Sequence, residues 1–222
     1  MATAKELLAV AVRQLNVRED PPGSNNVRYN TWYYGREVSG NAYPWCMAFV
    51  QWCFDQAGVK LPARTASCGT LMNAAKSFGI WVTEDFQPGD VAIYDFSGKR
   101  RTTEHCGIVE AVLPGYGVQA IEGNTSESGS QSNGGMVCRK KRPWKHIVGA
   151  IRPEFEQEDS MTGKEIYESL NEYLGRQPVP AWARAELEEA VSLGITDGKN
   201  PMQLIPRYQA AIMAKRAAKA GK

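Results

Sequence analysis

The stretch GNAYPWCMAFVQWCF, residues 40–54, sets Cys46 at the head of a run with helical period. Pro44 and Trp45 precede it, and Trp45, Ala48, Phe49 and Trp52 recur on one stripe. A thiol at a helix start meets the positive end of the helix dipole and backbone N–H groups that have no partner within the helix. Both favour the thiolate, which is the nucleophilic form. The same N–H groups can hold a developing oxyanion. Such chemistry also needs a base and a group that orients the base. The chain has two histidines, His105 and His146. His105 opens the strand-like segment EHCGIVEAVL (104–113), and Glu122 and Asn124 end the next, VQAIEGNTS (118–126). Neighbouring antiparallel strands bring such positions within reach, and residues two apart share a face. A carboxylate or amide there would fix the imidazole tautomer. The competing reading is an internally satisfied His105 and a solvent-facing Glu122. His146 reads as a core or surface residue.

The elements that must position these groups follow from periodicity and breakers. Residues 3–17 read as a helix with a Thr3–Glu6 capping box, and REDPPGSNN (18–26) reads as a loop. The aromatic segment 27–44 shows no clear period and reads as irregular surface. Helices are expected over 45–57, closed by Gly58, and over 70–79. From about residue 80 the pattern alternates, giving strands in 87–96, 104–113, 118–126, MVCRKKR (136–142) and 146–153. Helices first and an antiparallel sheet second predict an α+β fold. The polar stretch after residue 153 reads as a linker. The domains expected are 1–155, a linker at 156–163, and a helical unit at 164–222.

Bulk properties exclude several classes. The 222 residues are 43% hydrophobic and 23% charged, with a net charge of +2, which gives no footprint for nucleic acid. The one basic run, RKKR (139–142), reads as a solvated strand end. No apolar run approaches a membrane span, and the first twenty residues carry no export signal. Synthesis in the cytoplasm with assisted release is therefore expected. The five cysteines, at 46, 53, 68, 106 and 138, are odd in number and have no CxxC spacing. Neither a disulfide framework nor a zinc site is expected from that spacing. Cys46 alone of the five has the helix-start placement in this reading.

The ordered set YPWCMAFVQWCF, QPGDVAIYDF, HCGIVEAV, AIEGNTS and HIVGAIRP resembles the CHAP family of cysteine, histidine-dependent amidohydrolases and peptidases. The likeness covers roughly residues 1–153. It implies a papain-like α+β domain that cleaves peptidoglycan amide bonds, with Cys46 as nucleophile, His105 as base and Glu122 as the group orienting it. Asn124 is implied as a further polar member of the site. Some members bind calcium through acids in the loop before the cysteine. Here that loop, 21–44, offers Asn25, Asn26 and Asn30, with Glu37 its single acid, and Glu19 and Asp20 just before it. Calcium prefers several carboxylates, so no metal and no cofactor are expected. Tyr43, Trp45 and Trp144 are candidates for a substrate groove.

The tail, with Trp182 and Ala183, GITDG (194–198) and an Arg207-led helix, resembles a single S-layer-homology unit, which implies binding to wall polymers. The expected function is that of a phage endolysin acting on Gram-positive peptidoglycan after holin-type release. Its rivals are a host wall-remodelling enzyme, a non-catalytic wall-binding protein, and a papain-like acyltransferase or toxin with cytoplasmic targets.

Overall fold

The computed structural model describes residues 2–156, 162–199, 201, 202, 204 and 207–220. The chain divides into two compact units, Met1–Glu158 and Asp159–Lys222. Most of the linker expected at 156–163 lies outside the described residues.

The first unit is α+β. Four helices, α1 (Ala4–Val12), α2 (Arg28–Tyr34), α3 (Cys46–Ala57) and α4 (Cys68–Ser77), precede a six-stranded antiparallel sheet. Its strands are β1 (Trp81–Val82), β2 (Val91–Tyr94), β3 (His105–Leu113), β4 (Gly117–Thr125), β5 (Met136–Pro143) and β6 (Ile147–Ile151), in the order β1-β6-β2-β3-β4-β5. Alternation assigns the two faces. Val91, Ile93, Cys106, Ile108 and Ile121 join Trp45, Met47, Phe49, Cys53 and Phe54 in the main core, so α3 lies against that face. Ala92, Tyr94, Val109, Val118, Ala120 and Ile147 form a second cluster under Phe86, Phe96 and Trp144.

Three local readings are corrected by the structure. The aromatic segment 27–44 is irregular only in part, because Arg28–Tyr34 is helical and Tyr29 is fully buried. Tyr29 packs on Trp45, Phe49 and Trp52, with ring centroids 5.1–5.5 Å apart. A short helix with partners on several sides has no apolar stripe to read. The first helix ends at Val12 rather than 17, since Asn16 takes a left-handed φ of 69° and its N–H bonds Val137 O of β5. Residues 144–146 form a 3-10 turn, so the strand expected from 146 starts at Ile147.

Among the described residues, the second unit holds three helices, α5 (Gly163–Gly175), α6 (Ala181–Ser192) and α7 (Arg207–Ala220). A Thr162–Glu165 capping box starts α5. Neither α5 nor α6 buries a side chain, and Trp182 is largely exposed. Among the described residues, no helix is long and apolar enough to cross a membrane.

Candidate active site

Cys46 is the first residue of α3, and α3 starts without a side-chain cap, since Trp45 stands at the N-cap position. In contrast, α1 and α4 are capped by Thr3 and Ser67. The first-turn N–H groups of α3 are thus left to a thiolate or a ligand oxygen. Trp45 itself is no groove wall. It is fully buried, stacks on Tyr29, and donates Nε1–H to Glu19 Oε1 at 2.7 Å, which anchors the helix start in the core.

Across from that start lies the start of β3. The sulfurs of Cys46, Cys68 and Cys106 all lie within 4.8 Å of one another. Next to Cys106, His105 is fully buried beneath Tyr94 and Phe96, with ring centroids 6.1 and 5.9 Å away. Its Nε2 lies 3.0 Å from Glu122 Oε2 on the neighbouring strand. Its Nδ1 has no hydrogen-bond partner, which leaves that atom for the Cys46 side.

Glu122 is also fully buried, and it has a second partner that the sequence reading missed. Arg142 of β5 donates Nε–H to Glu122 Oε1 at 2.8 Å and Nη2–H to Oε2. Its other arm reaches Gln131 Oε1 at 2.7 Å, and Phe96 packs on the guanidinium, 4.7 Å from ring centre to Cζ. The RKKR run is therefore not wholly a solvated strand end, because Arg142 is buried at 4% exposure. Sequence gave no signal for this, since strand alternation says which face a residue takes and not whether a carboxylate waits there.

Two glycines let the site close. A Cβ at Gly107 would sit 2.5 Å from Glu122 Cγ, so the bare strand lets Glu122 lie across it. At Gly123 a Cβ would meet Phe49 Cβ at 2.6 Å and Trp45 at 2.7 Å, so α3 can approach β4 closely there. The glycines in HCGI and IEGN were the legible traces of these approaches.

Asn124 sits at a break in the strand register. The β4–β5 register shifts between Glu122 and Thr125, and Asn124 has a φ of 56°. The two-residue rule for a shared face fails at such a bulge. Asn124 is buried and its Nδ2–H reaches Ser132 O at 3.5 Å, on the loop before β5. The structure brings Cys46, His105 and Glu122 into one line and ties Asn124 to that loop.

The charges in this line support one another. Thiol donation from Cys106 and Cys68 holds Cys46 well below the usual thiol range against its burial, and His105 adds to the effect. Burial alone would lower the His105 pKa, but Cys46 and Glu122 outweigh it and raise the value to about 9. Burial likewise opposes the Glu122 carboxylate, yet Arg142 and then His105 keep it below the usual range. The nearness of Cys106 lowers Cys68, but the Cys46 charge and burial push it well up. Burial and Cys46 do the same to Cys106. One thiolate and one imidazolium result, with an Arg-held carboxylate behind them. Burial pushes the Cys53 thiol up, and that residue is core.

The remaining candidates are held by aromatic contacts. Tyr43 is half-buried and packs edge-on against Tyr34, with centroids 5.1 Å apart, at the end of a row with Trp32 and Tyr33. Arg64 covers Trp32 and Tyr33 at 4.6 and 5.0 Å. Trp144 stacks on Phe86 over the second cluster, and His146 packs against Phe96. Asn25 and Asn30, from the loop considered for calcium, spend their side-chain amides on Gly40 O, Asn25 O and Tyr43 O. A surface cavity lined by Gly58, Lys60, Leu61, Phe78 and Pro153 opens at the far end of α3 from Cys46.

Comparison with known proteins gives one match. A family model described as the CHAP domain covers residues 38–124. That span contains Cys46, His105 and Glu122 and stops short of Arg142. No curated protein and no solved structure matches the chain.

Proposed function

We propose that this chain, whose residues 38–124 are a CHAP domain, is a peptidoglycan hydrolase that cuts an amide bond of bacterial wall peptide. A CHAP domain implies a cysteine- and histidine-dependent amidohydrolase or peptidase, commonly acting on cell walls. The observation that carries the reading is the buried line from Cys46 through His105 to Glu122. In the proposed reaction, the Cys46 thiolate attacks the amide carbonyl carbon. The free N–H groups at the start of α3 hold the oxyanion. The His105 imidazolium gives its proton to the leaving amine, and a thioester remains on Cys46. Neutral His105 then takes a proton from water, and the hydroxide releases the acyl group as a carboxylate. Glu122 holds Nε2–H throughout, so the working proton moves at Nδ1.

The aromatic row Trp32–Tyr33–Tyr34–Tyr43, which ends three residues before Cys46, supports a groove for wall peptide or glycan on that side. The helical second unit, with exposed Trp182, supports a wall-tethering role that would raise the local substrate concentration. An endolysin of Gram-positive hosts, made in the cytoplasm and released to the wall, fits this pairing of units. Digestion of purified Gram-positive peptidoglycan, read by mass spectrometry, tests the proposal. Whole stem peptides freed from lactyl groups mean an amidase, and cut stems or cross-bridges mean an endopeptidase. Intact walls from several species would sink the hydrolase reading.

The ion pair fixes the pH dependence. The reactive form needs the thiolate and the imidazolium together. Above the His105 value of about 9 the imidazolium is lost, so kcat/KM should fall about tenfold per pH unit. The acid limb, set by Cys46, should lie far below the ordinary thiol range. Glu122→Gln removes one group that raises the His105 value, so its alkaline limb should move to lower pH. An alkaline limb that stays in place in Glu122→Gln counts against the assigned role of Glu122.

A further inference from the structure

Cys46, Cys68 and Cys106 are far apart in sequence and come from the starts of α3, α4 and β3. Their sulfurs nevertheless lie within 4.8 Å of one another, and all three residues are buried. We propose that this trio binds one soft cation of the zinc class, and that occupancy switches the nucleophile off. Tetrahedral zinc–thiolate bonds of ~2.3 Å place sulfurs about 3.8 Å apart, within the spacing already present. Three sulfurs with no carboxylate among them select a thiophilic ion over calcium or magnesium. Three thiolates and one divalent cation carry a net charge of −1. That charge sits at the first residues of two helices, α3 and α4, where the dipoles favour it. On binding, the thiol protons of Cys68 and Cys106 leave to solvent. The trio supplies three of the four ligands of a tetrahedral site.

Sequence spacing could not show this, because the three ligands lie on three separate elements rather than in a short motif. The binding claim stands by itself, while the inhibition claim rests on Cys46 being the nucleophile. The test uses the reduced full-length protein titrated with cadmium, reading the thiolate-to-metal charge-transfer band in the ultraviolet. The expected result is a band that saturates at one cadmium per chain and is displaced by zinc. In Cys68→Ala and in Cys106→Ala the band should shrink by roughly a third and the affinity fall at least about tenfold. Cys138→Ala should leave the band unchanged. A wild-type chain with no saturable band overturns the site, whatever the variants do. So does a band that both Cys68→Ala and Cys106→Ala leave intact. In the wall digest, zinc should inhibit with the midpoint found for binding, and a chelator should restore the rate. Full hydrolysis at saturating zinc overturns the switch. Absence of any hydrolysis would strike the hydrolase reading, and the cadmium band would still decide the site.

Discussion

Cys46→Ala should release no wall fragments above background, a loss of about 10⁴-fold or more, while the chain stays folded. The magnitude follows from what the sulfur does. It is the one thiol of the five held well below the ordinary range, and the three neighbours that hold it there have no other nucleophile to activate. Deleting one sulfur from a residue that is already 94% buried costs little stability beside that loss, because the Glu122–Arg142 pair behind His105 stays intact. The informative control is Cys53→Ala. Cys53 lies seven residues on in the same helix and is just as buried, but burial pushes its thiol up and no histidine faces it. Its replacement should leave hydrolysis at the wild-type rate. Urea midpoints of the two variants should be similar. Activity retained in Cys46→Ala, or lost equally in both variants, would refute the assignment of the nucleophile.

The contrast between these two cysteines explains what was legible. Position relative to a helix start is a local property, and a proline, an aromatic and a cysteine ahead of an apolar stripe reveal it. The strands were legible for the same reason, since VAIY, HCGIVEAVL and GVQAIEGNT each carry their own alternation. His105 and Glu122 could be paired because both sit at the matching ends of consecutive strands. What stayed hidden depends on contacts between elements distant in sequence. Arg142 looked like any other member of a basic run until β5 paired with β4, set it opposite Val118 and let its side chain reach Glu122. Cys68 looked ordinary because its helix was read as starting at residue 70, and with the true start at 68 it too heads a helix. The bulge at Asn124 stayed hidden because alternation carries no sign of a register shift. The helix at 28–34 was hidden because its aromatic residues pack in several directions.

Arg142 is the residue through which stability and activity can be separated. Arg142→Met should lower stability by about 3–5 kcal/mol, because it strands the Glu122 carboxylate in a fully buried position. It should also lower hydrolysis, since a Glu122 left with His105 as its one charged partner takes up a proton more readily and favours the imidazolium less. Arg142→Lys keeps the charge but loses the fork that spans both Glu122 oxygens and Gln131, so it should fall between the two. The decisive chain is the double variant Glu122→Gln with Arg142→Met. Without a carboxylate to strand, loss of the guanidinium costs much less. The double variant should therefore be more stable than the sum of the single changes predicts, by about 0.5–3 kcal/mol of coupling. Its activity should stay low, because nothing charged remains behind His105. Urea unfolding gives the first quantity and the wall digest the second. If the two changes add without coupling, the ion pair is not what holds Glu122. If the double variant regains hydrolysis, the carboxylate is not what sustains the imidazolium.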